Sequence, residues 1–136
     1  MRTLYDLMVH VAQHLSGKKN LTIRLRKPHG TQGTCRKDSS GVLTIDIEPE
    51  LEEKRFMYVF LHEVAHARFE RFKAMELEVS ELVEVELTPK REFQEVRADK
   101  VAKAWLQYAE QNRDLSFSYQ EGCLWSLLNL QPGGST

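Results

Sequence analysis

The sequence contains few cysteines and no long apolar run. Cys35 and Cys123 are the two cysteines among 136 residues, and they stand far apart without a Cys-x-x-Cys pair. This usage indicates neither a disulfide framework nor a structural zinc cluster of cysteines. No segment approaches the roughly 18–20 uncharged apolar residues that a membrane span needs, and Asp6, His10 and Gln13 interrupt any signal-peptide core. We therefore expect a cytoplasmic protein that has no membrane partner.

The composition is that of an ordinary globular protein. Hydrophobic residues make up 41% of the chain and charged residues 29%, and the length suits one domain with a real core rather than two. No internal repeat and no linker divides the sequence. We expect a single domain over residues 1–130, followed by a flexible tail over residues 131–136.

Positive charge is concentrated in the first third of the chain. Residues 1–47 carry eight Lys/Arg against three Asp/Glu, whereas the remainder carries eleven against seventeen. The basic excess centres on five residues, namely Arg24, Arg26, Lys27, Arg36 and Lys37. Such a group could meet an acidic protein or a nucleic-acid backbone, or it could form a solvated hairpin. No aromatic residue lies among these positions to stack on a base, which favours the hairpin over direct nucleic-acid binding.

Apolar periodicity predicts an α+β fold that is mostly helical, with a small twisted sheet or hairpin. A first helix is indicated by apolar residues at helical spacing before Gly17, which are Leu4, Leu7, Met8, Val11 and Leu15. Further helices are predicted over about 50–75, from Thr88 and Pro89 to about 111, and over 119–130. Alternation predicts strands over 21–25 and 42–47 with a loop between them, while 76–87 fits either helix or strand.

The five residues His62–His66, in the pattern His-Glu-x-x-His, carry the most specific chemical signal in the chain. Two histidines four residues apart on a helix project from one face, so their imidazoles can share one Zn²⁺ at about 2.0–2.1 Å. Glu63 stands beside the first histidine and can act as general base on a zinc-bound water, whose pKa falls to about 7. The alternative is a pair of surface histidines on an amphipathic helix.

The third zinc ligand is expected to be a carboxylate, because no histidine follows His66. In metzincins, glycine and histidine stand three and six residues after the second motif histidine; Phe69 and Phe72 stand there instead, which excludes that class. The same absence argues against proteases of the SprT type, which use a later histidine. Glu70, one turn after His66, is a weaker candidate, since its side chain moves along the same helix away from the metal.

The helix after Pro89 offers better candidates. Glu95 and Asp99 are four residues apart and share a helix face, and the small residues Ala98 and Ala102 near that face would allow close approach to the motif helix. We predict that Glu95 binds zinc and that Asp99 accepts a hydrogen bond from a ligand imidazole, which orients the ring. The alternatives are Glu92 as ligand, or a solvated helix with ordinary Glu–Lys pairs.

The motif of residues 62–66, followed by Glu95-Val96-Arg97-Ala98-Asp99-Lys100-Val101-Ala102, resembles the ImmA/IrrE-type metallopeptidase domain. That family is gluzincin-like, and its later helix carries Glu-x-x-Ala-Asn/Asp-x-x-Ala. The resemblance covers roughly residues 4–110, including the order of helices and strands, and implies a minimal zincin-like domain. The family usually has glycine where this chain has Ala65, and phenylalanine where it has Val101.

The resemblance implies a zinc metallopeptidase of bacterial or phage regulation, making limited cuts in a partner protein, often a DNA-binding repressor. Zn²⁺ would be held by His62, His66 and Glu95, with Glu63 as the base. The oxyanion donor stays open among Tyr58, Tyr108, Tyr119 and His29. Cys35 is expected to be an ordinary thiol, with a latent-enzyme zinc contact as the alternative. Rival hypotheses are a catalytically silent metal-binding or interaction module, and a nucleic-acid-associated protein that uses the basic hairpin.

Overall fold

A computed structural model describes residues 3–69 and 89–131, with residues 89 and 90 described by their backbone alone. Its elements in chain order are α1 (Leu4–Ser16), β1 (Leu21–Arg24), β2 (Gly33–Lys37), β3 (Leu43–Ile47), α2 (Glu53–Phe69), α3 (Pro89–Asn112) and α4 (Tyr119–Leu127). The predicted α+β class, mostly helical with a small sheet, is confirmed. Several predictions lie outside the described residues: the helix beyond Phe69 including Glu70, the segment 76–87, the Thr88 cap and the tail beyond residue 131.

Helix α1 is bounded by two local signals. The Thr3 side chain accepts a hydrogen bond from the Asp6 backbone N–H at 3.1 Å, and Gly17 ends the helix with φ 73°, donating its N–H to Gln13 O at 2.9 Å. The predicted apolar face is buried in the core through Leu7, Met8, Val11 and Leu15. The first predicted helix is therefore confirmed, and it ends at the glycine that the sequence indicated as its stop.

The three strands form one mixed sheet in the order β1-β3-β2. Strand β1 pairs with β3 in parallel, and β2 pairs with β3 in antiparallel orientation. The sequence predicted a loop between the first two strands, and this was wrong because β2 lies within that segment. The alternative of a hairpin was also wrong, because the two strands predicted from the sequence, β1 and β3, run parallel. Strand β2 is half-buried at every position and lies at the sheet's edge, so it shows no apolar alternation.

Helix α1 lies along the outer edge of β1 and bonds to its backbone. The Tyr5 hydroxyl donates to the carbonyl of Ile23 at 2.6 Å, and the Gln13 amide donates to the carbonyls of Leu21 at 3.4 Å and Lys19 at 3.1 Å. In a parallel strand, alternate carbonyls point away from the neighbouring strand, and those of Leu21 and Ile23 point toward α1. Side chains of α1 thus occupy acceptors that the sheet leaves unused.

Three of the five basic residues singled out in the sequence converge on one buried carboxylate. Asp46 on β3 is 2% exposed and receives two hydrogen bonds from Arg24, Nε to Oδ1 at 2.7 Å and Nη2 to Oδ2 at 2.9 Å. Arg36 Nη2 lies 3.6 Å and Arg26 Nε 3.9 Å from Oδ2. Much of the basic excess seen in the sequence therefore belongs to an ion-pair network on the sheet rather than to a solvated hairpin.

Helices α2 and α3 pack against each other more extensively than any other pair of described elements. Helix α2 begins where the Glu52 carboxylate accepts hydrogen bonds from the backbone N–H groups of Lys54 at 3.0 Å and Arg55 at 3.2 Å. On α3, Ala98 and Ala102 are buried at 1% and 0% exposure. The burial of both residues agrees with the prediction that small side chains let α3 approach the motif helix closely.

The last helix closes the core from the C-terminal side. Ser118 accepts a hydrogen bond from the Glu121 backbone N–H at 3.3 Å, and Leu124 and Leu127 are fully buried. His14 Nε2 on α1 lies 2.7 Å from the carbonyl of Leu130 and holds the chain that follows α4. Within the described ranges, no helix combines the length and apolarity needed to cross a membrane.

Candidate metal centre

Helix α2 places the two motif histidines with their Nε2 atoms together. The Nε2 atoms of His62 and His66 are 3.2 Å apart, and the rings meet edge to face with centroids 4.8 Å apart. Four residues make slightly more than one helical turn, so both side chains leave the same face. Flanking residues Leu61, Val64, Ala65 and Ala67 are buried in the core, which fixes the rotation of the helix and aims this face at α3.

Helix α3 brings the carboxylate of Glu95 to both imidazoles. Its Oε2 lies 3.1 Å from His62 Nε2, and its Oε1 lies 3.1 Å from His66 Nε2. The side chains are 16%, 13% and 38% exposed for His62, His66 and Glu95, so the cluster is covered by protein on one side and reachable by solvent on the other. The structure thus brings together the three residues that were predicted as ligands.

The donor set fits a tetrahedral Zn²⁺. Ligand atoms about 2.0–2.1 Å from a tetrahedral ion are separated from one another by about 3.3 Å. The two imidazole nitrogens are 3.2 Å apart, close to this spacing, and each Glu95 oxygen lies 3.1 Å from a different one of them, so a small movement of the carboxylate that turns one oxygen toward both nitrogens completes a three-atom set. Two imidazole nitrogens and one carboxylate are borderline and hard donors of the kind that zinc takes at catalytic sites.

The charge state of Glu95 also suits a cation. Its hydrogen bond with His62, and to a smaller extent the one with His66, holds the pKa of the Glu95 carboxyl well below the usual range. Burial opposes this effect by raising the pKa. Among the residues that the structure describes, these three form the group of histidine and carboxylate side chains close enough together to bind a metal ion. Cys35 is outside this group, as is Glu92, which is exposed on α3.

Asp99 lies near the cluster and contacts it through a tyrosine. The hydroxyl of Tyr58 donates to the Asp99 carboxylate and lies 3.4 Å from Nδ1 of His62. Lys103 Nζ is 3.0 Å from the other Asp99 oxygen. The pKa of Asp99 is lowered, mainly by the hydrogen bond from Tyr58 and secondly by the one from Lys103. The pKa of Tyr58 is raised, mainly by burial and secondly by its hydrogen bond to Asp99. The sequence predicted a direct bond between Asp99 and an imidazole, and the structure inserts Tyr58 between them.

Glu63, the predicted base, is buried at 8% exposure and faces the sheet. A β-carbon built on Gly33 of β2 would lie 3.3 Å from Glu63 Oε2, 3.1 Å from Glu63 Cγ and 2.6 Å from Val59 Cγ1. The backbone of β2 therefore packs against this part of α2 with room for glycine alone. Sequence reasoning missed Gly33, since a glycine in a predicted loop gives no sign of what approaches it.

A cation–π contact joins α2 and α3 beside the cluster. The guanidinium of Arg97 lies 4.8 Å from the ring centroid of Phe69 on α2 and 5.3 Å from that of Phe93 on α3. Arg97 also donates to the Phe69 carbonyl at 3.5 Å. Phe69 stands three residues after His66 and Phe93 two residues before Glu95, so this contact supports the meeting of the ligands.

Two of the four candidate oxyanion donors have other partners. Tyr58 bonds to Asp99, and the Tyr119 hydroxyl donates to Glu110 at 2.9 Å, in the contact between α4 and α3. No structural contact assigns the role to His29 or Tyr108. The oxyanion donor is therefore not assigned among the four residues, and the position of Tyr58 beside His62 follows from its spacing of four residues before that histidine.

Comparison of the chain with known proteins returned no match to any protein-family model, any curated protein or any solved structure. The resemblance to the ImmA/IrrE-type domain stays a hypothesis drawn from the two sequence motifs.

Proposed function

We propose that this protein is a zinc-dependent peptidase of the ImmA/IrrE type. The observation that carries the proposal is the convergence of Glu95 on His62 and His66: the carboxylate is distant from both histidines in sequence, yet each of its oxygens lies 3.1 Å from one imidazole Nε2. A carboxylate from a second helix placed across both imidazoles of a His-Glu-x-x-His helix is an arrangement suited to holding one metal ion. Chance surface histidines would not require such a partner.

The three residues would hold Zn²⁺ and leave its remaining position open for water or substrate. When bound, the ion acts as a Lewis acid toward the scissile carbonyl and lowers the pKa of water to about 7. The solvent-accessible side of the cluster provides the route for a peptide to reach it. Glu95 is anionic at neutral pH, as an ordinary carboxylate is, and its lowered pKa extends that state to more acid pH, so the ion does not have to displace a proton from it.

Glu63 is assigned as the general base. It follows His62 directly on α2, and its carboxylate is held in a buried position against β2. We propose that it takes a proton from the attacking water and passes that proton to the leaving amine when the peptide bond breaks. A base held by packing keeps its geometry between the two proton transfers, which a surface carboxylate with free rotamers would not do.

The proposed substrate is a partner protein cut at few positions, such as a DNA-binding repressor, and the proposed compartment is the cytoplasm. This part of the proposal is supported by the resemblance of the two motifs to the ImmA/IrrE-type domain. Direct binding of nucleic acid through the basic strands is not favoured, since Arg24, Arg26 and Arg36 gather around Asp46.

The proposal is tested with the full chain loaded with one equivalent of Zn²⁺ and incubated with a proteome-derived peptide library. Mass spectrometry reads new peptide termini for the wild type and for Glu63→Gln, which keeps the ligands and the shape of the base but removes its basicity. New termini with the wild type alone would support a peptidase. A wild type that binds zinc and yields the same termini as Glu63→Gln would overturn it, leaving a silent metal-binding module.

A further inference from the structure

Arg55 continues the metal-binding face of α2 toward the start of the helix. It stands three residues before Tyr58 and seven before His62, and these spacings place all three on one face. Its guanidinium carbon lies 5.2 Å from the Tyr58 ring centroid, and the Tyr58 and His62 centroids are 5.7 Å apart. Laid end to end, the two distances span about three residues of an extended peptide, which rises about 3.3 Å per residue. A peptide whose scissile bond lies at the cluster can therefore reach Arg55.

The guanidinium of Arg55 is held at two points. Its Nε donates to Oε1 of Gln32 at 2.7 Å, and its carbon lies over the ring of Tyr58. The carbonyl of Gln32 in turn accepts the backbone N–H of Glu48 at 3.0 Å, so this partner is anchored beside the sheet. A guanidinium that is already fixed loses little rotamer freedom when it binds a further group.

The remaining donors of Arg55 suit a carboxylate. Of the five guanidinium N–H groups, Gln32 takes the one on Nε, which leaves the two Nη atoms as a planar fork for a pair of oxygens. Within residues 3–69 and 89–131, no carboxylate lies at ion-pair distance from this guanidinium. The Glu52 side chain accepts a bond from the Arg55 backbone N–H at 3.2 Å instead.

We propose that Arg55 is a specificity-determining residue that binds a carboxylate of the substrate about three residues from the cleaved bond. An Asp or Glu side chain and the terminal carboxylate of a peptide present the same two oxygens to the fork. The inference deepens the proposed function and rests on it for the cleaved bond, whereas the binding of the carboxylate can be measured without cleavage.

The first test measures binding alone. The zinc-loaded Glu63→Gln chain is immobilised and exposed to the proteome-derived peptide library, and mass spectrometry identifies the peptides that it retains. We expect retained peptides to be enriched in Asp and Glu or to depend on their C-terminal carboxylate. Adding Arg55→Met, which keeps an unbranched apolar stem beside Tyr58 but removes the charge, should abolish this preference.

The matched control is Lys54→Met, which removes one exposed positive charge from the neighbouring residue. Lys54 Nζ lies 3.7 Å from Glu110 Oε2, away from the Arg55 fork, and its loss should leave the preference unchanged. Arg55→Glu provides a second variant, because reversal of the charge should enrich Lys and Arg in the retained peptides. A new preference of opposite sign cannot arise from poor folding.

The second test measures cleavage by the chain with Glu63 intact. Three peptides share the most strongly retained sequence: the parent, one with the acidic side chain changed to its amide, and one with an amidated C-terminus. Loss of the carboxylate that Arg55 binds should lower kcat/KM by about fivefold, the upper end for an exposed ion pair. The peptide that shows the loss distinguishes a side chain from the terminus, and the difference should vanish in Arg55→Met.

Absence of retained peptides, retention without a carboxylate preference, or a preference that survives Arg55→Met would overturn the inference. Failure of the proposed function looks different. Carboxylate-dependent retention that Arg55→Met abolishes, with no cleavage by the wild type, would remove the peptidase and leave the role of Arg55. Cleavage with no carboxylate preference would leave the peptidase and remove that role.

Discussion

Gly33 of β2 and Glu63 of α2 are packed so closely that a methyl group on the glycine would lie 3.3 Å from the Glu63 carboxylate oxygen and 3.1 Å from its Cγ. The sheet therefore does more than complete the core. It provides the surface against which the proposed base rests, and that surface is backbone rather than side chain.

Gly33→Ala is expected to impair the base while leaving the metal ligands in place. The added methyl group would lie 2.6 Å from Val59 Cγ1, so β2 or α2 must shift, at a cost of about 1–3 kcal/mol in the free energy of unfolding. We expect a loss of peptide cleavage of tenfold or more, on the order of what a small misplacement of a catalytic group causes, with zinc content unchanged.

The matched control is the double variant Gly33→Ala/Val59→Ala, in which removal of Cγ1 makes room for the new methyl group. Cleavage should recover in the double variant relative to Gly33→Ala, measured against Val59→Ala alone to correct for the cavity. Equal cleavage by Gly33→Ala and the wild type would show that the close approach has no bearing on Glu63.

Glu95→Gln and Glu92→Gln test the ligand set on one helix. Glu95 lies 3.1 Å from both imidazoles, whereas Glu92 is exposed one turn earlier. Elemental mass spectrometry should find about one zinc per chain in the wild type and Glu92→Gln. Zinc affinity should fall by more than about 100-fold in Glu95→Gln, beyond the effect expected of an outer residue.

Thermal unfolding provides the second measurement for this pair. Zinc at about 100 times its dissociation constant should stabilise the wild type by about 2.7 kcal/mol, and Glu92→Gln should match it. A Glu95→Gln protein that retains zinc and its stabilisation would show that the carboxylate near the histidines is not a ligand.

Metal binding should weaken on acidification through the imidazoles rather than through Glu95. The pKa of Glu95 is lowered chiefly by its hydrogen bonds with His62 and His66. Its ionised form therefore contributes stability that is complete above the ordinary carboxyl pKa of about 4.3 and is lost only as the pH falls toward the lowered value. Above that range the ligands that must be free of a proton to bind zinc are the two imidazoles, so protons compete with the ion there.

The expected result is a zinc dissociation constant that rises as the pH falls, with a slope approaching two protons per ion at the acid end. Chelator competition between pH 5.5 and 7.5 measures it, with the buffer's own zinc affinity subtracted. A dissociation constant that does not change between pH 5.5 and 7.5 would mean that the histidines do not bind the ion.

The Asp46 network should stabilise the fold without affecting the metal. Asp46→Asn leaves three partly exposed arginines around a neutral side chain, and we expect a loss of about 1.5–3 kcal/mol by urea unfolding, the range for hydrogen bonds to a charged group, with zinc content unchanged. Arg24→Met, which removes the pair at 2.7 Å, should cost more than Arg26→Met, which removes the one at 3.9 Å. Equal costs for the two arginines would contradict the geometry described for Asp46.

A feature could be predicted from the sequence where it depends on the spacing of residues close together in the chain. The His62/His66 pair follows from helical periodicity and the start of α3 from the preference of proline for a first helical position, and the structure has both as predicted. It also buries the small residues Ala98 and Ala102. Glu95 was selected by elimination among carboxylates and by its face of the helix, which is also local information.

The missed features depend on contacts between distant segments. Strand β2 is defined by its pairing with β3, and its own residues, from Gly33 to Lys37, carry no apolar alternation. Tyr58 was considered as an oxyanion donor because its chemistry suits that role, and its position beside Asp99, 41 residues away, is a property of the packed helices. Chemistry of residue types can be predicted from sequence, but which groups a hydroxyl lies between cannot.

The bonds from Tyr5 and Gln13 to the carbonyls of β1 have a consequence for the protein at high concentration. A strand from a second molecule could extend the sheet at β1 only by taking the acceptors of Leu21 and Ile23, which α1 already occupies. An unpaired strand edge is the usual starting point of aggregation. Assembly through β1 would therefore require the first helix to detach, so its attachment protects the protein from fibril-like self-association along this side.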